Sequence, residues 1–251
     1  MNRKRIKNWG LGIIAAMVVL TAAGRSIAYL TQKEQAVNVF TVGDLELGLR
    51  EPEWNPQDGD GGSMVPGSTV YKNPTIKNIT SDKNGEQSSY ARIVLYIRDK
   101  DGKLITDPAR LKLIKEVIRY DSSYSGDYEN KGTAQIITEG RIPGYSEEEI
   151  RELPMVNPLF ARDEKRSCEN ILVFNYMGAD KSGIFKISEE AALFTTIAVP
   201  TEWTKTEMDL LGGFQIDIAA QAIQTSGFAG QEEAFAALDA QEQIQEEESD
   251  T

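Results

Sequence analysis

From Tyr90 to Arg98 the chain alternates without exception: Ala91, Ile93, Leu95 and Ile97 are apolar, and Tyr90, Arg92, Val94, Tyr96 and Arg98 fill the positions between them. Strand side chains point to opposite faces with a period of two, so this segment offers one wholly apolar face to a core. A helix would need its apolar positions three and four apart, which this pattern does not supply. A long half-buried strand needs neighbouring strands and a second layer over its apolar face. That directs the chain toward a mainly β architecture. Asp101-Gly102 supplies the turn that ends the strand.

The rest of the chain is read around that strand. Val37, Val39, Leu45, Leu47 and Leu49 fall at period two, with a bend expected at Thr41-Val42-Gly43-Asp44. Pro52 to Gly67 holds three prolines and four glycines and is a loop, with Pro66-Gly67 its strongest turn. Val70 to Thr80 returns to strand character, Pro74 marking an edge or a bulge. Further strands are expected at Asn170–Met177, Ala192–Val199 and Gly213–Ala219. Asp107-Pro108 opens a short helix through about Glu116, with Leu111, Leu113, Ile114 and Val117 on its buried stripe. Ser146 and Glu149 have capping-box spacing for a second short helix carrying Ile150 and Leu153. Ala219 to Leu238 reads as helical, interrupted by Gly227 and Gly230. The expected fold is an antiparallel, jelly-roll-like β-sandwich with short helical insertions.

The N-terminus has the three parts of a secretory signal peptide. Arg3, Lys4, Arg5 and Lys7 form a basic start, Trp9–Gly24 an apolar run, and Ser26-Ile27-Ala28 a small-x-small cleavage step before Tyr29. An uncleaved anchor is the alternative. The run is 16 residues, interrupted by Gly10, Gly12 and Thr21 and closed by Arg25, whereas a stable span takes about 20 apolar residues. The expected organisation is a signal peptide over 1–28, one β-sandwich domain over 29–238 and an acidic disordered tail over 239–251. That tail holds six acidic residues and no basic one.

Composition narrows the function classes. Residues 1–28 hold five of the 27 Lys and Arg and no acid, so the remainder sets 22 basic residues against 39 acidic ones. Such a surface repels nucleic acid and anionic lipid. The chain contains no histidine. Ser–His–Asp triads, Cys–His nucleophiles, His-ligated zinc and the HExxH helix are therefore all excluded. Cys168 is the single cysteine, which rules out an intrachain disulfide and suits Gram-positive export. It is expected to be a small, partly buried core or loop residue.

Three local features come near a binding motif. Asp58 and Asp60, in Asp58-Gly59-Asp60-Gly61, could offer carboxylates to Ca2+, but the later acidic ligand of an EF-hand loop is missing. Tyr120, Tyr124 and Tyr128 recur every fourth residue in a Ser/Gly/Asp-rich loop, either as loop packing or as a carbohydrate platform. Trp54 and Trp203 are expected to cover core edges.

Taken in order, several segments resemble the TasA/camelysin family of secreted Gram-positive proteins. They are Ile27-Ala28-Tyr29-Leu30-Thr31, Asn38-Val39-Phe40-Thr41-Val42-Gly43-Asp44-Leu45, Glu51-Pro52-Glu53-Trp54 and Val65-Pro66-Gly67. Lys72-Asn73-Pro74-Thr75-Ile76-Lys77-Asn78, Ser89-Tyr90-Ala91-Arg92-Ile93 and Ala220-Gln221-Ala222-Ile223-Gln224-Thr225-Ser226-Gly227-Phe228 follow. The likeness is dense over residues 20–98 and 213–238. It implies export through a SipW-type signal peptidase, cleavage between Ala28 and Tyr29, and assembly into biofilm-matrix fibres. In such fibres the freed N-terminal segment adds as a strand to the next subunit; here that segment carries Tyr29, Leu30, Ala36, Val37, Val39 and Phe40. An intramolecular first strand is the other use of the same residues. The metallopeptidase activity associated with camelysins is not carried over, because no histidine is present to hold zinc.

The expectation is thus a secreted, non-enzymatic matrix or cell-surface protein that needs no cofactor. It would associate with itself or with related matrix proteins, bind no nucleic acid and leave the membrane after cleavage. A secreted metal-dependent peptidase and a monomeric adhesin are the alternatives.

Overall fold

The structure is a computed structural model that describes residues 27–29, 38–42, 47–50, 64–80, 88–123, 136–137 and 145–249. Residues 27–29, 38–42, 136–137 and 242–249 are described by their backbone alone. In chain order the first strands are β1 (Ile27–Tyr29), β2 (Asn38–Val42), β3 (Leu47–Arg50), β4 (Thr69–Tyr71), β5 (Thr75–Asn78) and β6 (Ser89–Asp99). Helix α1 (Pro108–Val117), β7 (Ile118–Arg119), β8 (Ile136–Ile137), helix α2 (Glu147–Glu152) and β9 (Phe160–Arg162) come next. Then follow β10 (Ile171–Tyr176), β11 (Ile184–Phe185), β12 (Glu190–Ala192), β13 (Thr196–Ala198), helix α3 (Lys205–Leu211), β14 (Phe214–Gln224) and helix α4 (Gln231–Ser249).

The fold is mainly β, with three sheets among the described residues. The largest has seven strands in the order β1-β14-β6-β10-β9, with β11 also on β6 and β2 also on β14. The smaller ones run β12-β5-β3 and β7-β13-β4-β8. Among the described strands every pairing is antiparallel except that of β14 with β2.

The alternation of β6 decides where the core lies. Ala91, Ile93, Leu95 and Ile97 are fully buried, and β14 and β10 add Phe214, Ile216, Ile218, Ala220, Ala222, Leu172, Phe174 and Tyr176 to the same cluster. Leu47 and Leu49 of β3, Ile76 of β5, Ile118 of β7 and Ile197 of β13 meet them, so all three sheets share one core. Helix α1 packs against the same core. Its N-cap Asp107 accepts from the Ala109 and Arg110 amides, Pro108 opens its first turn, and Leu111, Ile114 and Val117 are buried; Leu113 is partly buried against the same core. Ser146 and Glu149 form the expected capping box of α2.

Three readings of the sequence are corrected. Pro74 lies between β4 and β5 and separates them into different sheets, so 70–80 is not one bulged strand. The backbone stays extended from Ala219 to Gln224, where helix was expected, and helix starts only at Gln231. Pairing with β6 continues register by register to Gln224, and this outweighs the helix preference of Ala220 and Ala222. Helix α4 then runs through Ser249, past the Leu238 boundary at which the acidic tail was set. Asp239 in particular is an ion-pair partner rather than tail.

Candidate functional site

Strand β14 has one edge built into the sheet and another that receives the N-terminal part of the chain. Within a strand, successive residues direct their N–H and C=O groups to alternate sides. Ile97 of β6 donates its N–H to the Asn170 carbonyl (2.9 Å), on the β10 side. The even-numbered residues of β6 therefore face β14, where their partners are Gln215, Asp217, Ala219, Gln221 and Ile223. Ile216, Ile218, Ala220 and Ala222 are left to direct their backbone groups to the outer edge.

Two short strands occupy that edge in opposite directions. Strand β1 runs antiparallel, with Ile27 opposite Asp217, Ala28 opposite Ile216 and Tyr29 opposite Gln215. Because Ile216 faces outward, Ala28–Ile216 is the pair that exchanges both backbone bonds. Strand β2 runs parallel, from Asn38 opposite Ala219 to Val42 opposite Ile223. Val39 stands opposite Ala220 and Phe40 opposite Gln221. From β2 the chain crosses to β3 in the three-stranded sheet, where Leu47 and Leu49 enter the core.

One end of the sheet face turned away from that core is covered by α4. Phe235, Ala234 and Leu238 are buried against Tyr90 and Ile223. Next to them Arg92, itself buried, donates Nε–H to Gln221 Oε1 and holds Asp239 of α4 at 2.6 Å. Its guanidinium also stacks over the Phe235 ring, 4.9 Å from the centroid. Arg166 holds the helix from the side, reaching Asp239 (2.7 Å), Glu232 (2.9 Å) and Asp163 (2.9 Å). Burial opposes the Arg166 charge, but hydrogen bonds to Asp239, Glu232 and Asp163 outweigh it and push its pKa up. Burial also raises the Asp163 pKa; hydrogen bonds from Arg166 and Asn175 more than reverse this and leave it below the usual carboxylate range. Hydrogen bonds from Arg166 and then Lys165 lower the pKa of Glu232.

The candidate residues divide clearly. Ala28, Tyr29, Val39 and Phe40 are brought together along the outer edge of β14. Leu30, Ala36 and Val37 lie outside the described residues, as do the basic and apolar parts of the expected signal peptide, Asp58, Asp60, Trp54, Tyr124 and Tyr128. Tyr120 is half-buried with its amide on the Pro154 carbonyl (2.7 Å), and Trp203 packs on the main core. Cys168 is exposed in the loop before β10, not partly buried as expected. Among the described residues no group of three or more His, Cys, Asp or Glu is placed to hold a metal ion, and no helix is long and apolar enough to cross a membrane.

Sequence reasoning missed the receiving edge because β14 was ended at Ala219. The signal was present: Phe214, Ile216, Ile218, Ala220 and Ala222 keep period two to the end of the strand. Compared with known proteins, the chain matches no family model, no curated protein and no solved structure.

Proposed function

We propose that this chain is a secreted, non-enzymatic structural or surface protein whose copies join by strand addition at the outer edge of β14. The observation that carries the reading is the edge itself. It is filled by three residues of β1 and five of β2, all from the N-terminal segment, while the opposite edge carries eleven consecutive pairings with β6. Strand addition draws its affinity from main-chain hydrogen bonds, so the same segment of a second copy fits the edge as well as the chain's own. The ordered likeness to TasA/camelysin proteins supports the same reading, with SipW-type cleavage between Ala28 and Tyr29 and a matrix or cell-surface location. A shared core between the large sheet and the two smaller ones accords with a jelly-roll-like sandwich. The absence of histidine removes the commonest hydrolytic machinery and favours a structural role.

Purified protein starting at Tyr29 is expected to form oligomers or fibres, seen by light scattering and electron microscopy. Protein starting at Gly43, which lacks β1 and β2, is expected to stay monomeric. Monomers from both would overturn the reading.

A further inference from the structure

We infer that β1 is a removable cap: in the uncut chain Ile27–Tyr29 closes the Gln215–Asp217 stretch of the β14 edge, and cleavage after Ala28 opens it. The inference rests on the assembly reading above and adds its regulation.

The register carries it. The residues that pair with β14 in β1 are the same residues that flank the expected cut. Cleavage removes Ile27 and Ala28 and leaves Tyr29 as the new terminus. Ala28 is the residue that exchanges both backbone bonds with Ile216, so its loss frees the Ile216 N–H and C=O together. Strand β2 stays in the processed chain, and Ala219–Ile223 is closed by it or by the same strand of a second copy. One edge thus has two stretches, one closed until processing and one closed by a β2 strand, the chain's own or a second copy's. Gln215, Ile216 and Asp217 stay paired with Arg98, Ile97 and Tyr96 of β6, so the uncapped stretch keeps its extended form for an incoming strand. The occupant is the N-terminal segment of a second processed copy. Processing then licenses assembly, and a chain still awaiting cleavage cannot join prematurely.

The test compares protein starting at Ser26 with protein starting at Tyr29; both keep β2 and every later strand. The Tyr29 protein is expected to assemble, and the Ser26 protein to assemble about tenfold more slowly, as befits closure of a strand edge. Ala28→Pro in the Ser26 protein removes the N–H that Ile216 accepts and is expected to restore the faster rate. Equal rates for the Ser26 and Tyr29 proteins would overturn the cap and leave the assembly reading standing. No assembly by the Tyr29 protein would overturn the assembly reading. In that case amide exchange in dilute monomer still decides about the cap: protection of Ile216 in the Ser26 protein alone supports it, and equal exchange in both overturns it.

Discussion

Arg92 of β6 and Asp239 of α4 are 147 residues apart in sequence and 2.6 Å apart in space, across the sheet face that lies away from the core. Arg92 is almost fully buried, so its charge depends on the groups that meet it: Asp239, Gln221 and the Phe235 ring. Asp239 is shared with Arg166, which also reaches Glu232 and Asp163. Five charged groups on three elements therefore hold α4 to the sheet whose β14 edge receives the N-terminal segment.

Replacing Asp239 by Ala takes a carboxylate from two arginines at once. One of its ion pairs is buried on the arginine side only, since Asp239 itself is one-third exposed, and a figure of about 1–2 kcal/mol is expected once solvent screening is allowed for. Urea unfolding of the variant checks it. An unchanged midpoint would remove Asp239 from the account of how α4 is held.

Acid should loosen the contacts that Asp163 and Glu232 make with Arg166. Asp163 and Glu232 both have lowered pKa values in the folded chain. Their contribution is complete above the unfolded-state values, about 4, and is lost as pH falls through the lower folded-state values. Thermal midpoints measured downward from pH 6 should fall below about pH 4, and the Arg166→Met variant should lose part of that dependence. Identical acid profiles in the two proteins would contradict the assignment.

At the alkaline end Tyr176 acts in the opposite sense. Burial first, and then its hydrogen bond to Glu189, raise the pKa of the phenol. Its neutral form is the one that the fold stabilises, so this contribution is full below about pH 10 and is lost as pH rises above that value. Tyr176→Phe should flatten the alkaline fall in thermal stability. An unchanged slope would show that another group governs it.

The two faces of β6 should respond unequally to truncation. Leu95→Ala opens a cavity in the shared core at a fully buried position, with an expected loss of about 2–5 kcal/mol. Tyr96→Ala on the other face, at a partly buried position, should lose distinctly less. Equal losses in denaturant titrations would show that the assignment of the faces is mistaken.

Strand β6 was legible because its two faces differ in kind: every second residue is apolar, and its neighbours include Tyr96 and two arginines. The caps of α1 and α2 were legible because Asp107, Pro108, Ser146 and Glu149 act within one turn of chain. The same local signal marked α3 and was passed over, since Thr204 and Glu207 also form a capping box. The second half of β14 is harder to read. Residues on both of its faces are buried, so Ala219-Ala220-Gln221-Ala222 carries little contrast and looks helical. The Arg92, Arg166, Asp163, Glu232 and Asp239 cluster has no spacing to betray it. It exists only because β6, the loop before β10, and α4 meet, and no local rule brings them together.

The central claim is that copies join along the outer edge of β14, and a disulfide can report that contact directly. Phe40 and Gln221 are partners in the β2–β14 register. Two proteins starting at Tyr29 are needed, both carrying Cys168→Ser, one with Phe40→Cys and the other with Gln221→Cys. Neither can link to itself within one chain. Mixed and oxidised, they are expected to give a covalent heterodimer whose linked peptide joins positions 40 and 221 by mass spectrometry. Only monomers and same-variant dimers, with no 40–221 peptide, would contradict strand addition at this edge.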